Sequence, residues 1–180
     1  MSIKPWKVLE SSYLRKNIRV DKCEISNGKI VEPLIFEYET WVAVVALTSQ
    51  QEVLLIKQYR HGLGQILLEL PGGGVEEGEE PLAAAKRELL EETGYTSDKI
   101  IEVGRVSPNP ANHTNMVHFY LALDVENVAD QSLDETEEID VLQVPLDEAI
   151  LMIRNGELLA SLYVSAFFFA LCYLDRIKTS

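Results

Sequence analysis

The sequence predicts an α/β (α+β) sandwich with mixed sheets, preceded by a small N-terminal antiparallel sheet. Three observations carry this reading. Two apolar, β-branched runs, WVAVVALT (41–48) and VLLIKQ (53–58), flank the polar turn Ser49-Gln50-Gln51 and read as a core hairpin. A helix with one apolar stripe follows between Pro81 and Gly94. Beyond it come strands, an acidic stretch and two further helical segments. At 180 residues the chain suits one domain with a small appendage, and a chain of this length buries about 70% of its unfolded surface. The expected division is 1–40 for the appendage and 41–180 for the main domain.

Within residues 1–40, Asn17 to Ile25 alternates roughly as a strand, Asn27-Gly28 is a hairpin signal, and Lys29 to Glu39 is extended with Pro33 marking an edge. The alternation slips at Asp21-Lys22, which calls for a bulge or a second turn. A sheet this small is not stable alone, so it is expected to pack on the main domain or on a second subunit. After the core hairpin, Gln58-Tyr59-Arg60 ends a strand with an aromatic and a cation side by side.

Pro81 suits the first turn of the next helix, with Glu79 and Glu80 beside its positive end. Leu82, Ala85 and Leu89 form its predicted apolar stripe, and Gly94 suits its stop. Ile100 to Val106 and Met116 to Val125 read as strands around the proline-interrupted loop Ser107 to Thr114. The acidic run Glu126 to Asp140 reads on its own as a solvated loop. Ile139 to Val144 is a short strand, and a helix runs from Pro145 to about Arg154, where Asn155-Gly156 ends it. Leu158 to Leu174 is seventeen residues without a charge, at the lower edge of the roughly 17–25 that span a bilayer. Ser161 and Ser165 interrupt it, so it reads as a core or subunit-packing helix.

A formal net charge of −13 repels nucleic acid backbones and anionic membranes, so neither is an expected partner. Cys23 and Cys172 match no metal or CxxC spacing, and the first 20 residues hold five Lys or Arg without an apolar core. Both features point to a reduced, cytoplasmic setting. His113 and His118 read as structural. The chemistry concentrates on the 81–93 helix, where Glu88 and Glu92 are four residues apart and Glu88 and Glu91 three apart. Such like charges destabilise a helix by a few tenths of a kcal/mol per pair, unless a cation sits between them. Hard oxygen donors favour Mg²⁺ or Mn²⁺ over zinc.

The series Gly73, five residues, Glu79, seven residues, Arg87-Glu88-Leu89, one residue, Glu91-Glu92, one residue, Gly94, Tyr95 resembles the Nudix box. It departs only at Tyr95, where that family usually carries an aliphatic side chain. The resemblance implies an α/β/α sandwich over about residues 40–180. It implies Mg²⁺, with Mn²⁺ as a substitute, held by Glu88, Glu91, Glu92 and the carbonyl oxygen of Gly72, with Glu88 also a catalytic group. Gly73 and Gly94 then frame the box, and Arg87 and Glu79 form an ion pair fixing the glycine loop against the helix.

Gln58-Tyr59-Arg60 followed by ELPGG (Glu69 to Gly73) resembles the Nudix subgroup that hydrolyses ADP-ribose and related nucleoside diphosphate sugars. In that subgroup the arginine, here Arg60, contacts substrate phosphate or ribose. A proline lies about fifteen residues past the box, where Pro110 stands. An acidic loop, resembled by Glu135-Thr-Glu-Glu-Ile139, supplies the base, with Glu135 the first candidate and Glu137 the second. The subgroup also carries an N-terminal sheet and commonly forms homodimers through it, where Trp6 is either a stacking partner for a nucleobase or a buried anchor. The implied reaction is metal-dependent hydrolysis of a nucleoside diphosphate sugar to nucleoside monophosphate and sugar phosphate. The alternatives are a Nudix nucleoside triphosphate pyrophosphohydrolase and a catalytically silent ADP-ribose sensor.

Overall fold

The computed structural model describes residues 4–177. They fall into two units, one formed by the N-terminal residues through Glu39 together with Ser107–Met116, the other by Thr40–Val106 and the chain from Val117 onward.

The first unit is an antiparallel sheet of β1 (Lys7–Arg15), β2 (Ile18–Glu24), β3 (Ile30–Val31) and β4 (Leu34–Phe36). β1 has no counterpart in the sequence reading. Its residues KVLESSYLR set Val8 beside Leu9 and Tyr13 beside Leu14, so no period-2 signal marks it, and all nine residues are exposed. The register shifts between Val8 and Glu10, opposite Lys22 and Cys23. The irregularity expected around Asp21-Lys22 is therefore a bulge, carried by the partner strand. Asp21 is buried and accepts hydrogen bonds from Ser11 Oγ at 2.6 Å and Arg19 Nε at 2.9 Å. These donors hold its carboxyl below the usual carboxylate range, Arg19 first. The proline-interrupted segment completes this unit, with Phe36 N donating to Asn112 O at 2.7 Å and Thr114 N to Phe36 O at 3.1 Å.

The second unit is built on β5 (Trp41–Leu47), β6 (Glu52–Arg60), β7 (Gln65–Glu69), β8 (Tyr95–Thr96), β9 (Lys99–Val106), β10 (Val117–Leu123), β11 (Glu126–Asn127) and β12 (Ile139–Pro145). Its helices are α1 (Pro81–Thr93), α2 (Leu146–Arg154) and α3 (Ser161–Tyr173). The main sheet runs β12-β6-β5-β10-β9 with β7 added to β6, and β8 pairs separately with β11. β10 is parallel to β5 and the other pairings are antiparallel, so the sheet is mixed.

Alternation along β5 builds both layers. Ala43, Val45 and Leu47 join a core with residues of α2 and α3, while Val42, Val44 and Ala46 join a second core with α1. β10 divides the same way, Phe119 and Leu121 to one side, Tyr120 and Ala122 to the other. The result is a three-layer α/β/α sandwich. In α1 the buried stripe is Ala84, Ala85 and Leu89, whereas Leu82 is exposed. This corrects the predicted stripe, since small residues let the helix approach the sheet closely. Among the described residues no helix is long and apolar enough to cross a membrane.

The burial of α3 is measurable by paired substitutions. Phe167 is 1% exposed in the core and Phe168 is 50% exposed. Phe167→Ala is expected to lower the urea unfolding free energy by about 3–5 kcal/mol, and Phe168→Ala by about 0.5 kcal/mol or less.

Candidate active site

β5 and β6 pair only at Leu47 and Val53, and beyond that point they diverge. β6 takes β7 on that edge, while the segment after β7 runs along β5. Val44 N donates to Pro71 O at 2.9 Å, Val42 N to Gly73 O at 2.9 Å and Val75 N to Thr40 O at 2.8 Å. The approach is too close for any side chain at Gly72, where a Cβ would lie 2.1 Å from Val42 O. A Cβ on Gly73 would lie 2.6 Å from Glu88 Oε1, so this glycine leaves the room that the Glu88 carboxylate fills. Gly72 N also donates to Glu92 Oε2 at 2.7 Å. The glycine segment is thus pinned to β5 on one side and to α1 on the other.

On α1, Arg87 gathers the acids. Its Nε and Nη2 bind Glu79 at 3.1 and 3.0 Å, Nη2 donates to Gly74 O at 3.0 Å, and Nη1 reaches Glu88 at 2.8 Å and Glu91 at 3.1 Å. Burial raises the Glu88 carboxyl above its ordinary value against the pull of Arg87. Glu92, buried and bonded to Gly72 N, is pushed up to about 8, by burial first and then by the charges of Glu88 and Glu137. The Glu91 side chain is 42% exposed.

A cleft of about 570 Å³ lies over this region. Its lining includes Gly72, Gly73, Glu88 and Glu92, but not Glu91. Sheet topology brings the acidic loop to it, because Ile139, the first residue of β12, pairs with Gln58, two residues before the end of β6. Asp134 and Glu137 line the cleft, whereas Glu135 is exposed and outside the lining. A turn holds the pair, with Asp134 N donating to Glu137 Oε2 at 3.1 Å and Glu137 N to Asp134 O at 3.0 Å.

Another part of the lining is a constellation that sequence reasoning missed. Arg60 forks onto Glu69, Nε to Oε1 at 2.8 Å and Nη2 to Oε2 at 2.5 Å, and Tyr163 Oη donates to Glu69 Oε2 at 2.9 Å. Glu69 is 2% exposed, so a buried carboxylate is matched by a charged fork and a hydroxyl. Glu69 and burial together push the Tyr163 hydroxyl well above its ordinary value, burial first. The ELPGG motif contained Glu69, but nothing in the chargeless stretch around Tyr163 signalled a polar partner 94 residues away. Trp6 and Pro110 are both exposed and belong to the first unit.

Six carboxylates, from Glu69, Glu76, Glu88, Glu92, Asp134 and Glu137, share the lining with two guanidiniums, Arg60 and Arg87. The balance is formally four negative charges, which disfavours a polyphosphate unless cations accompany it. Among the described residues no three acidic, histidine or cysteine side chains converge as a ready metal cage, since Arg87 draws Glu88 and Glu91 onto itself. The donor set nevertheless suits a hard divalent cation: oxygen ligands only, partly desolvated, with an excess of negative charge. Glu88, Glu91 and Glu92 offer such oxygen donors within five residues of one helix.

The NUDIX domain family matches residues 38–162. The chain is 34% identical over 142 residues to the ADP-ribose pyrophosphatase of Bacillus subtilis (strain 168), covering 78% of this chain and 77% of that one. It is 34% identical over 152 residues to the methanol dehydrogenase activator of Bacillus methanolicus, covering 83% and 81%. In fold it is similar to a crystal structure of an ADP compounds hydrolase, with a TM-score of 0.86 and 97% of each chain covered at 21% sequence identity.

The Arg60–Glu69 fork makes a prediction about stability rather than turnover. Arg60→Ala leaves a buried carboxylate with only a hydroxyl partner. It should lower the unfolding free energy by about 1–3 kcal/mol, toward the low end because the Arg60 side chain is 44% exposed. The Arg60→Ala/Glu69→Gln double variant, with no buried charge, should recover at least part of the loss in the same chemical denaturation.

Proposed function

The chain belongs to the NUDIX domain family, and on that premise we propose that it hydrolyses the pyrophosphate bond of ADP-ribose or a related nucleoside diphosphate sugar. The products are a nucleoside monophosphate and a sugar phosphate. The observation that carries the proposal is a single cleft that holds the box acids Glu88 and Glu92, the loop acid Glu137 and the cation Arg60. The ADP-ribose pyrophosphatase of Bacillus subtilis, 34% identical to this chain, supports the substrate class.

In the proposed reaction a water oxygen bonds to one phosphorus as the bridging P–O bond breaks, and the bridging oxygen leaves on the second phosphate. Glu137 takes the proton of the attacking water. Its place in the lining and its charge coupling to Glu88 and Glu92 support it over the exposed Glu135. Arg60 keeps donors beyond those given to Glu69 and balances phosphate charge. Arg87 and Glu79 hold the glycine segment and the acid-bearing turn of α1 in one frame. The family's chemistry needs a divalent metal; we take it to be Mg²⁺, with Mn²⁺ as a substitute, which Glu88, Glu91, Glu92 and the Gly72 carbonyl would hold and which would supply neutralisation of phosphate charge.

The same proposal includes a homodimer. Among the described residues β1 pairs only with β2, and Val8, Leu9, Tyr13 and Leu14 are all exposed on it. An open apolar edge of this kind is a liability unless a second chain covers it. The net charge of −13 argues against nucleic acid and anionic membrane as partners. The free thiols Cys23 and Cys172 suit a reducing cytoplasm.

A substrate panel with product identification tests the reaction. ADP-ribose should yield AMP and ribose 5-phosphate and outpace dNTPs and dinucleoside polyphosphates, whereas release of pyrophosphate from dNTPs as the fastest reaction would overturn the substrate class. With saturating Mg²⁺, Glu137→Gln should lower kcat by about 10²–10⁴-fold, and Glu135→Gln should stay within about twofold, as expected of an exposed side chain that contacts nothing reacting. Equal losses would return the base to the loop as a whole. For the dimer, Val8→Asp/Leu14→Asp should shift the sedimentation coefficient of the wild-type dimer to that of a monomer. A wild-type monomer at micromolar concentration would exclude it.

A further inference from the structure

The last turn of a helix leaves carbonyl oxygens without intrahelical partners, and those of α1 are taken up in a specific way. Gly94, with φ 76°, caps Leu90 O through its own N–H at 2.8 Å. Glu91 O, Glu92 O and the O of Gly94 itself are met from the chain that leads into the acidic loop. Ser132 N donates to Glu91 O at 2.8 Å, while Val128 N and Ala129 N donate to Gly94 O at 2.9 and 3.2 Å. Gln131 Nε2 donates to Glu92 O at 2.6 Å and to Ile139 O at 3.2 Å. Both partners of the Gln131 amide are carbonyl oxygens, so the NH₂ group must face them. A side chain at Gly94 would break this docking, because a Cβ there would lie 2.1 Å from Ala129 O.

One amide therefore ties the residue that follows the acidic loop, Ile139, to the backbone of Glu92 on the box helix. Ser132 ties the residue just before the loop to the adjacent carbonyl of Glu91. The segment 133–138 is held at both roots on the same two residues that carry box acids. We propose that Gln131 is a positioning residue for the reaction: by bridging Glu92 O and Ile139 O it sets where Glu137 stands relative to Glu88 and Glu92. It touches neither substrate nor the reacting atoms, and its effect passes through Glu137. This rests on the reading of Glu137 as the base.

Gln131→Met keeps the length and removes the donor, and Gln131→Lys restores N–H groups that reach the same carbonyls. Turnover of ADP-ribose with saturating Mg²⁺ is compared for these variants, for Glu137→Gln, and for the Gln131→Met/Glu137→Gln double variant. The expected result is a kcat lowered by about 10–100-fold in Gln131→Met with KM within about twofold, and most of that loss recovered in Gln131→Lys. The double variant should be no slower than Glu137→Gln alone, a non-additivity that a merely stabilising residue would not produce. If Glu137→Gln is slow while Gln131→Met keeps the wild-type kcat, or if the two losses multiply, the positioning role is overturned and the base reading stands. If Glu137→Gln keeps full kcat, the base reading fails and the positioning role falls with it.

Discussion

Carboxylates crowded on one helical face repel one another, and most of the local architecture around α1 is an answer to that repulsion. Glu88 and Glu92 are four residues apart and both are turned into the cleft, where burial makes the charged form dearer still. Arg87 offsets part of this by binding Glu79, Glu88 and Glu91 at once. Gly72 N offsets another part at Glu92. What is left over appears as the raised Glu88 and Glu92 carboxyls. A residual excess of negative charge is what a surface helix would discard and what a bound cation would neutralise.

That arrangement depends in turn on a topological detail. β6 is long enough to pair with β12 along one edge and to share the other between β5 and β7. Where β5 and β6 part, the glycine segment enters and bonds to β5, and α1 lands over it through Ala84, Ala85 and Leu89. The absence of side chains at Gly72 and Gly73 is what lets three backbone and carboxylate layers stack at this point. The same β6 carries Arg60 at its end, so the cation and the acids reach one cleft without any contact between them in sequence.

Much of this was legible in the residues because local chemistry marked it. Pro81 and Gly94 bracket α1 as expected, and the runs at 41–48 and 53–58 became β5 and β6. What stayed hidden was non-local. β1 carries no alternation because neither of its faces is buried. β7 is a short strand whose place in the sheet is set by its pairing with β6, a non-local contact. The proline segment 107–116 belongs with β4 through backbone bonds to Phe36, which no side-chain pattern announces. In the acidic loop, composition marked the stretch but could not say which carboxylate a turn directs inward. The turn from Asp134 to Glu137 decides it, placing Glu137 in the lining and leaving Glu135 in solvent.

Arg60 has a structural role of its own, with donors left over for the chemical role proposed for it. A guanidinium has five N–H donors, and the Glu69 fork engages Nε and Nη2. The partner carboxylate is buried and further anchored by Tyr163, so the fork holds the guanidinium in one orientation at the cleft it lines. A cation fixed by a buried acid loses less entropy on meeting a phosphate than a free arginine would. In a chain with net charge −13 and a cleft rich in acids, both guanidiniums of the lining, Arg60 and Arg87, are held by carboxylates.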